Sequence, residues 1–142
     1  MHIRPYVESD ENAIVALWHQ CGLIRPWNDP HKDIARKLTV QREWFFVGEL
    51  EGKLVASVMA GFEGHRGWVN YLAVLPEYRG RGFGGELMKL VEEKFFDAGC
   101  PKINLLVRAT NRTVLDFYSR LGYAPDDAIP LGKRLIPDVP AV

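Results

Sequence analysis

Residues 71–87, YLAVLPEYRGRGFGGEL, constrain the fold more than any other part of the chain. An apolar strand runs into a break at Pro76, a basic glycine-rich turn follows, and a helix begins directly after it. Gly80, Gly82 and Gly84 carry no Cβ, so a ligand can approach the backbone closely there. A helix opening at the same place aims its unpaired N–H groups and the positive end of its dipole at that point. Arg79 and Arg81 add charge. A strand–turn–helix unit of this kind suits a phosphate or pyrophosphate group. It is not a P-loop, because Gly85 and Glu86 stand where Lys and Ser/Thr are required. It is not a dinucleotide fingerprint either: the spacing is G-x-G-x-G-G and no repeated βαβ pattern precedes it.

The remainder of the chain reads as one domain, residues 1–142. Residues 2–6 form a short first strand. A helix from Glu8 follows, with Ala13, Ile14, Leu17, Trp18 and Cys21 on one buried face and Gly22 as its stop. Asp29 is an N-cap and Pro30 a first helical residue, which predicts a second, surface-lying helix to about Val40. Residues 44–50 and 54–62 pair as a hairpin around Glu51-Gly52-Lys53, and residues 68–75 add a third strand. Beyond the glycine turn, Phe83, Leu87, Leu90, Val91 and Phe95 mark a helix that Gly99 closes. A strand over 102–107, a helix over 111–121 and two closing strands within 123–136 complete the pattern. The order β-α-α-β-β-β-α-β-α-β-β, with antiparallel strands before a βαβ crossover, predicts an α+β fold with a mixed sheet.

Composition narrows the class. Eighteen basic residues balance eighteen acidic ones, so no global charge draws the chain to nucleic acid or a membrane surface. No apolar run approaches the ~18 residues of a membrane span, and the first residues show no signal-peptide pattern. Cys21 and Cys100 form no metal-ligand spacing and read as reduced, buried residues of a cytoplasmic protein.

Arg79-x-x-Gly82-x-Gly84, behind an apolar strand and a proline, resembles the acetyl-CoA signature of the GNAT N-acetyltransferase superfamily. Asn111, Val114, Tyr118, Gly122 and Tyr123 fill that family's second signature, with Val114 in place of its usual alanine. The element order is similar to the GNAT fold along the whole chain, in which the central strands splay apart. The stretch LIRPWNDP, residues 23–30, with the Gly64-His65-Arg66-Gly67 turn, resembles an uncharacterised bacterial subfamily.

The resemblance implies acetyl-CoA as cosubstrate and no metal. Residues 79–84 (Arg79, Gly80, Arg81, Gly82, Phe83 and Gly84) would hold its pyrophosphate, and Asn111 its pantetheine side. Leu72, Ala73 and Val74 would pair with the pantetheine amides as an added strand does, and a backbone N–H there would polarise the thioester carbonyl. Tyr118 would lie near the sulfur as a general acid. Protonation of a thiolate at ~8.5 by a tyrosine at ~10 is uphill by ~2 kcal/mol, which a positioned acid tolerates. No cysteine lies in either motif, so the amine is expected to attack directly.

The acceptor amine is less legible. A lysine amine is neutral about once in 2,500 molecules at pH 7, an α-amine roughly once in 5 to 10, so a lysine acceptor needs a base more. Where some family members carry a glutamate base, this chain has Val69, Asn70 and Tyr71. Glu63, then His65, are the nearest candidates, each also a plain turn residue. In the family the loop between the first two helices borders the acceptor, which makes Trp27 a candidate wall and Arg25 a candidate carboxylate ligand. A peptide N-terminus and a small-molecule amine both stay open, as does a homodimer. Residues 107–123 are similar to those of ribosomal-protein N-terminal acetyltransferases. The rival class is a non-catalytic acyl-CoA-binding or sensing module.

Overall fold

A computed structural model describes residues 1–138. Its elements are β1 (His2–Pro5), α1 (Glu11–Gln20), α2 (Pro30–Lys37), β2 (Phe45–Leu50), β3 (Lys53–Phe62), β4 (Gly67–Val74), α3 (Phe83–Asp97), β5 (Ile103–Asn104) and α4 (Arg112–Arg120). The five strands form one mixed sheet in chain order, antiparallel from β1 to β4 and parallel between β4 and β5. The parallel pair is joined through α3, as a crossover requires.

Local chemistry accounts for the elements. The β2–β3 hairpin turns on Glu51 and Gly52, both at positive φ, the conformation that a two-residue loop needs to match strand twist. Asp29 caps α2 by accepting from the backbone N–H groups of His31 (2.9 Å) and Lys32 (3.4 Å). Residues 55–60 of β3 are buried without interruption, and α1 and α3 both pack on β3 and β4, so the central sheet is covered on both faces. Trp18, Phe45, Phe95, Ile14, Leu17 and Ile34 are the largest fully buried side chains. α2 lies over the surface as expected, with Pro30 and Ile34 as its buried residues.

Two expectations about strands are overturned. The strand expected over 102–107 is reduced to Ile103–Asn104, because β4 and β5 pair only at Gly67↔Ile103 and Trp68↔Asn104 before they diverge. The two closing strands expected within 123–136 do not form; residues 124–138 are irregular. Pro125, Pro130 and Pro137 remove ladder donors there. The segment is instead pinned by side chains. Lys102 and Asn104 both donate to Asp126, at 2.8 and 2.6 Å, and Arg36 meets Asp138 at 2.6 Å. Cys21 and Cys100 are unpaired, and both are half-buried. Among the described residues no helix is long and apolar enough to cross a membrane, and no group of three or more side chains is placed to hold a metal.

Candidate active site

The site grows from the divergence of β4 and β5. Past Trp68, residues 69–74 of β4 have no strand partner on that side, which leaves backbone groups open to an extended ligand. Leu72, Ala73 and Val74 all lie in this stretch. Its pairing to β3 is bulged: Ser57 faces Ala73 while Met59 faces Asn70, so β4 carries one extra residue. Tyr71 in the bulge takes a φ of 51°, a conformation that costs a non-glycine residue roughly 1–3 kcal/mol.

Three contacts hold that strained residue. The Tyr71 ring stacks on Trp18 with centroids 3.7 Å apart. Its carbonyl accepts from Ser57 Oγ at 2.8 Å, and Ser57 in turn accepts from Trp18 Nε1 at 2.9 Å. Its hydroxyl donates to Asp33 Oδ2 at 2.6 Å, and burial with that carboxylate beside it raises the phenol well above its usual range. Sequence reasoning named Tyr71 only among the residues that replace the family's glutamate, and did not single out Asp33 or Ser57. Their partners lie 38 and 14 positions apart in the chain, and no local pattern reveals the bulge that joins them.

At the end of β4 the chain makes a 3₁₀ turn, Pro76–Tyr78, and enters the glycine loop. Gly80 and Gly82 have φ of 81° and 83°, and a Cβ added at either meets nothing within 4 Å. Their need for glycine is conformational, and the space in front of them is open. Gly82 is the N-cap of α3 and supplies no side chain, so the first N–H groups of the helix point into that space uncapped. This is a fit for a pyrophosphate group. Arg79 and Arg81 brace the loop: Arg79 Nε donates to the Val74 carbonyl at 3.0 Å, and the Arg81 guanidinium sits 5.2 Å from the Tyr78 ring centroid. Phe83, the first residue of α3, packs against the core.

Gly84 has a different reason to be glycine. A Cβ there would lie 3.1 Å from Phe117 Cζ and 3.9 Å from Val74 Cγ2. The end of β4, the start of α3 and α4 therefore meet at one residue, and α4 carries Tyr118 to this junction. Tyr118 is buried between Phe117 and Tyr123, both edge-on to it, and burial pushes its hydroxyl up to about 12. Burial, together with the bond that Tyr123 donates to Glu92 at 2.8 Å, raises its phenol too. Asn111 is the N-cap of α4 and accepts from the Val114 N–H at 3.3 Å through its side-chain oxygen, which leaves the donors of its amide N–H₂ unused by the cap.

The acceptor-side candidates lie in loops outside β4 and the glycine turn. Glu63 Oε1 accepts from the backbone N–H groups of His65 (3.1 Å) and Arg66, closing the β3–β4 turn. That turn precedes Gly67, whereas the glycine loop follows Val74, about 23 Å away along an eight-residue strand. His65 is exposed in the same turn. Trp27 is half-exposed, and the Arg108 guanidinium lies 5.8 Å from its ring centroid. Arg25 is half-buried and its carbonyl closes a turn with the Asn28 N–H.

The site is thus a mixed five-stranded sheet, opened between its two parallel strands beside a glycine loop and a bare helix N-terminus. Comparison with known proteins gives the family. The model of the acetyltransferase (GNAT) family matches residues 12–123, and the chain belongs to that family. A protein named acetyltransferase from Yersinia enterocolitica is 49% identical over 138 residues, 97% of this chain and 98% of the relative. Among solved structures, the ribosomal-protein-S18-alanine N-acetyltransferase from Escherichia coli superposes with a TM-score of 0.71 at 24% identity, covering 85% of this chain and 76% of its own. AAC(6')-Iy, in complex with the bisubstrate analog CoA-S-monomethyl-acetylneamine, gives 0.75 at 15% identity over 95% and 98%. These two likenesses establish the GNAT fold.

Proposed function

We propose that this acetyltransferase moves an acetyl group from acetyl-CoA to a primary amine by direct attack. One observation carries the reading: the freed edge of β4 leads straight to an open glycine loop and the uncapped start of α3. A solved GNAT neighbour holds a CoA-based bisubstrate analogue, which supports the cosubstrate. When bound, acetyl-CoA supplies the activated acetyl group. The chain holds its diphosphate with the N–H groups behind Gly82 and orients its amide-bearing arm along Leu72, Ala73 and Val74. Tyr118 offers a protonated hydroxyl toward the leaving sulfur.

Glu63 is the candidate base. The carboxylate of Glu63 already accepts two turn N–H groups. An acceptor whose amine loses its proton readily to water needs no such residue, which favours an α-amine over a lysine side chain.

The test is the melting temperature with and without acetyl-CoA. At 100 times Kd a ligand stabilises by ~2.7 kcal/mol, roughly 5–10 °C for a chain of this length. A shift of that order, followed by CoA release on addition of peptide or small-molecule amines, is the expected result. Acetyl-CoA binding without turnover of any amine would favour the sensing module. No shift at millimolar acetyl-CoA would remove both.

A further inference from the structure

The C-terminal segment supplies a second feature of the site that its irregular course leaves unexplained. Between this segment and the α1–α2 region lies an open cleft of about 590 Å³, lined by Trp27, Arg36, Lys133, Arg134, Leu135 and Ile136. That volume is in the range of small-molecule sites. Its lining is cationic and apolar: two arginines, one lysine, an indole face and two aliphatic side chains, with no carboxylate among them.

The nearest carboxylate cannot face the cleft. The Asp138 side chain is fully buried, with Oδ2 accepting from the Asp29 N–H at 2.8 Å and Oδ1 meeting Arg36 at 2.6 Å and Arg134 at 3.7 Å. It fixes both arginines from behind. Arg134 also donates to the Asn28 side chain, which ties the C-terminal segment to the loop that carries Trp27. Lys133 makes no ion pair among the described residues. Arg108, over the Trp27 ring, adds a further cation at the rim. The cleft is joined to the β4 bulge through α2: Arg36 and the Tyr71 ligand Asp33 are one helical turn apart, and Arg36 Nη1 lies 3.4 Å from Asp33.

We infer that this cleft binds a carboxylate carried by the acceptor, so that the protein acetylates a small amine bearing a negative charge and an apolar body. The inference rests on the acetyltransferase reading and adds its substrate class. Guanidinium and ammonium groups bind the carboxylate, and Trp27, Leu135 and Ile136 take the apolar part. A polyamine or an amino sugar such as neamine would meet like charge here, so the acceptor class differs from that in the complex of AAC(6')-Iy.

Matched pairs test it: L-phenylalanine against its amide, and alanyl-phenylalanine against its C-terminal amide, each with acetyl-CoA. The carboxylate of phenylalanine holds its own amine protonated, so in that pair chemistry alone favours the amide. The expected result is a kcat/KM at least about tenfold higher for an acid than for its amide, the worth of a single charge-assisted contact. Lys133→Gln should shrink that ratio severalfold with the KM for acetyl-CoA unchanged within about twofold. Lys133 holds no other element in place, so folding does not confound the variant. Equal or faster acetylation of the amides, or of spermidine and neamine, overturns the proposal. A Lys133→Gln variant altered only in its KM for acetyl-CoA overturns it as well and gives the cleft to a CoA phosphate. Should acetyl-CoA fail to bind, the thermal shift produced by the acids and not the amides still decides the cleft, while the transfer reading alone falls.

Discussion

The hydroxyl of Tyr71 donates to Asp33 at 2.6 Å and so ties the bulge of β4 to the second helix. This bond, with the stack on Trp18, holds a residue in a conformation that its side chain disfavours. Tyr71→Phe keeps the stack and removes the bond to a carboxylate. It should cost about 1–3 kcal/mol, which lowers the melting temperature by roughly 3–12 °C. Calorimetry at neutral pH checks this. A Phe variant as stable as wild type would mean that the aromatic stack and the Ser57 bond to the carbonyl set the bulge.

Gly82 and Gly84 are two residues apart, and their substitutions should separate folding from binding. Gly82→Ala meets no atom and pays only for positive φ, about 1–2 kcal/mol. Gly82→Leu has nearly the same backbone cost but fills the space before the helix. The KM for acetyl-CoA should therefore rise at least about tenfold from Ala to Leu at similar stability, an effect of some 1.4 kcal/mol on the ligand alone. Gly84→Ala gains helix propensity, about 1 kcal/mol, against a tight contact with Phe117. Its melting temperature should stay close to wild type, with the effect appearing in kcat as Phe117 and Tyr118 shift. Steady-state kinetics of the three variants would show it. Equal KM for the Ala and Leu variants at 82 would detach the loop from the cosubstrate.

The parts of the fold that were legible in the sequence are those fixed by local chemistry. The hairpin at Glu51-Gly52, the Asp29-Pro30 start of α2 and the glycine turn before α3 all form as their residues dictate. What stayed hidden depends on partners far along the chain. Residues 124–138 contain alternating apolar positions, Ile129, Leu131 and Leu135, that suggest a strand, yet all three are more than 80% exposed. Side-chain pairs such as Arg36–Asp138 bridge about a hundred positions, and nothing in the local pattern reveals them. Glu63 shows a further case: the residue named as a candidate base also caps its own turn, a role that only the structure displays.

Tyr118 is expected to act as a hydrogen-bond donor more than as a full acid. With its hydroxyl pushed up to about 12 by burial, transfer to a thiolate near 8.5 is uphill by ~3.5 units, about 5 kcal/mol. Tyr118→Phe should lower kcat by about 10²-fold, the low end for a positioned acid, and leave the KM for acetyl-CoA nearly unchanged. The raised value also fixes the pH behaviour. Tyr118 stays protonated throughout the neutral range, so the rising limb of kcat/KM belongs to the acceptor amine and should persist in the variant. Near-equal rates of wild type and Tyr118→Phe, across all acceptors, would remove this role.

Asp138 should make the protein acid-sensitive in a defined window. The Arg36 guanidinium and the Asp29 N–H hold its carboxyl down at about 2, against an ordinary 3.8. The unfolded chain therefore binds the proton more readily than the folded one. Stability from this group is fully present above about pH 5, fades as pH falls below 4 and is gone once pH passes about 2. Asp138→Asn lacks the titration, so the stability gap between wild type and variant should be constant from pH 5 to 8 and close as pH falls toward 2. Urea denaturation at pH 7, 4 and 2.5 would follow it. Because Asp138 also positions Arg36 and Arg134, the same variant should raise the KM for a carboxylate-bearing acceptor more than that for its amide. A gap that stays constant down to pH 2.5 would show that ionisation of Asp138 adds no folding stability. The C-terminal segment would then owe its place to other contacts, such as those of Lys102 and Asn104 with Asp126.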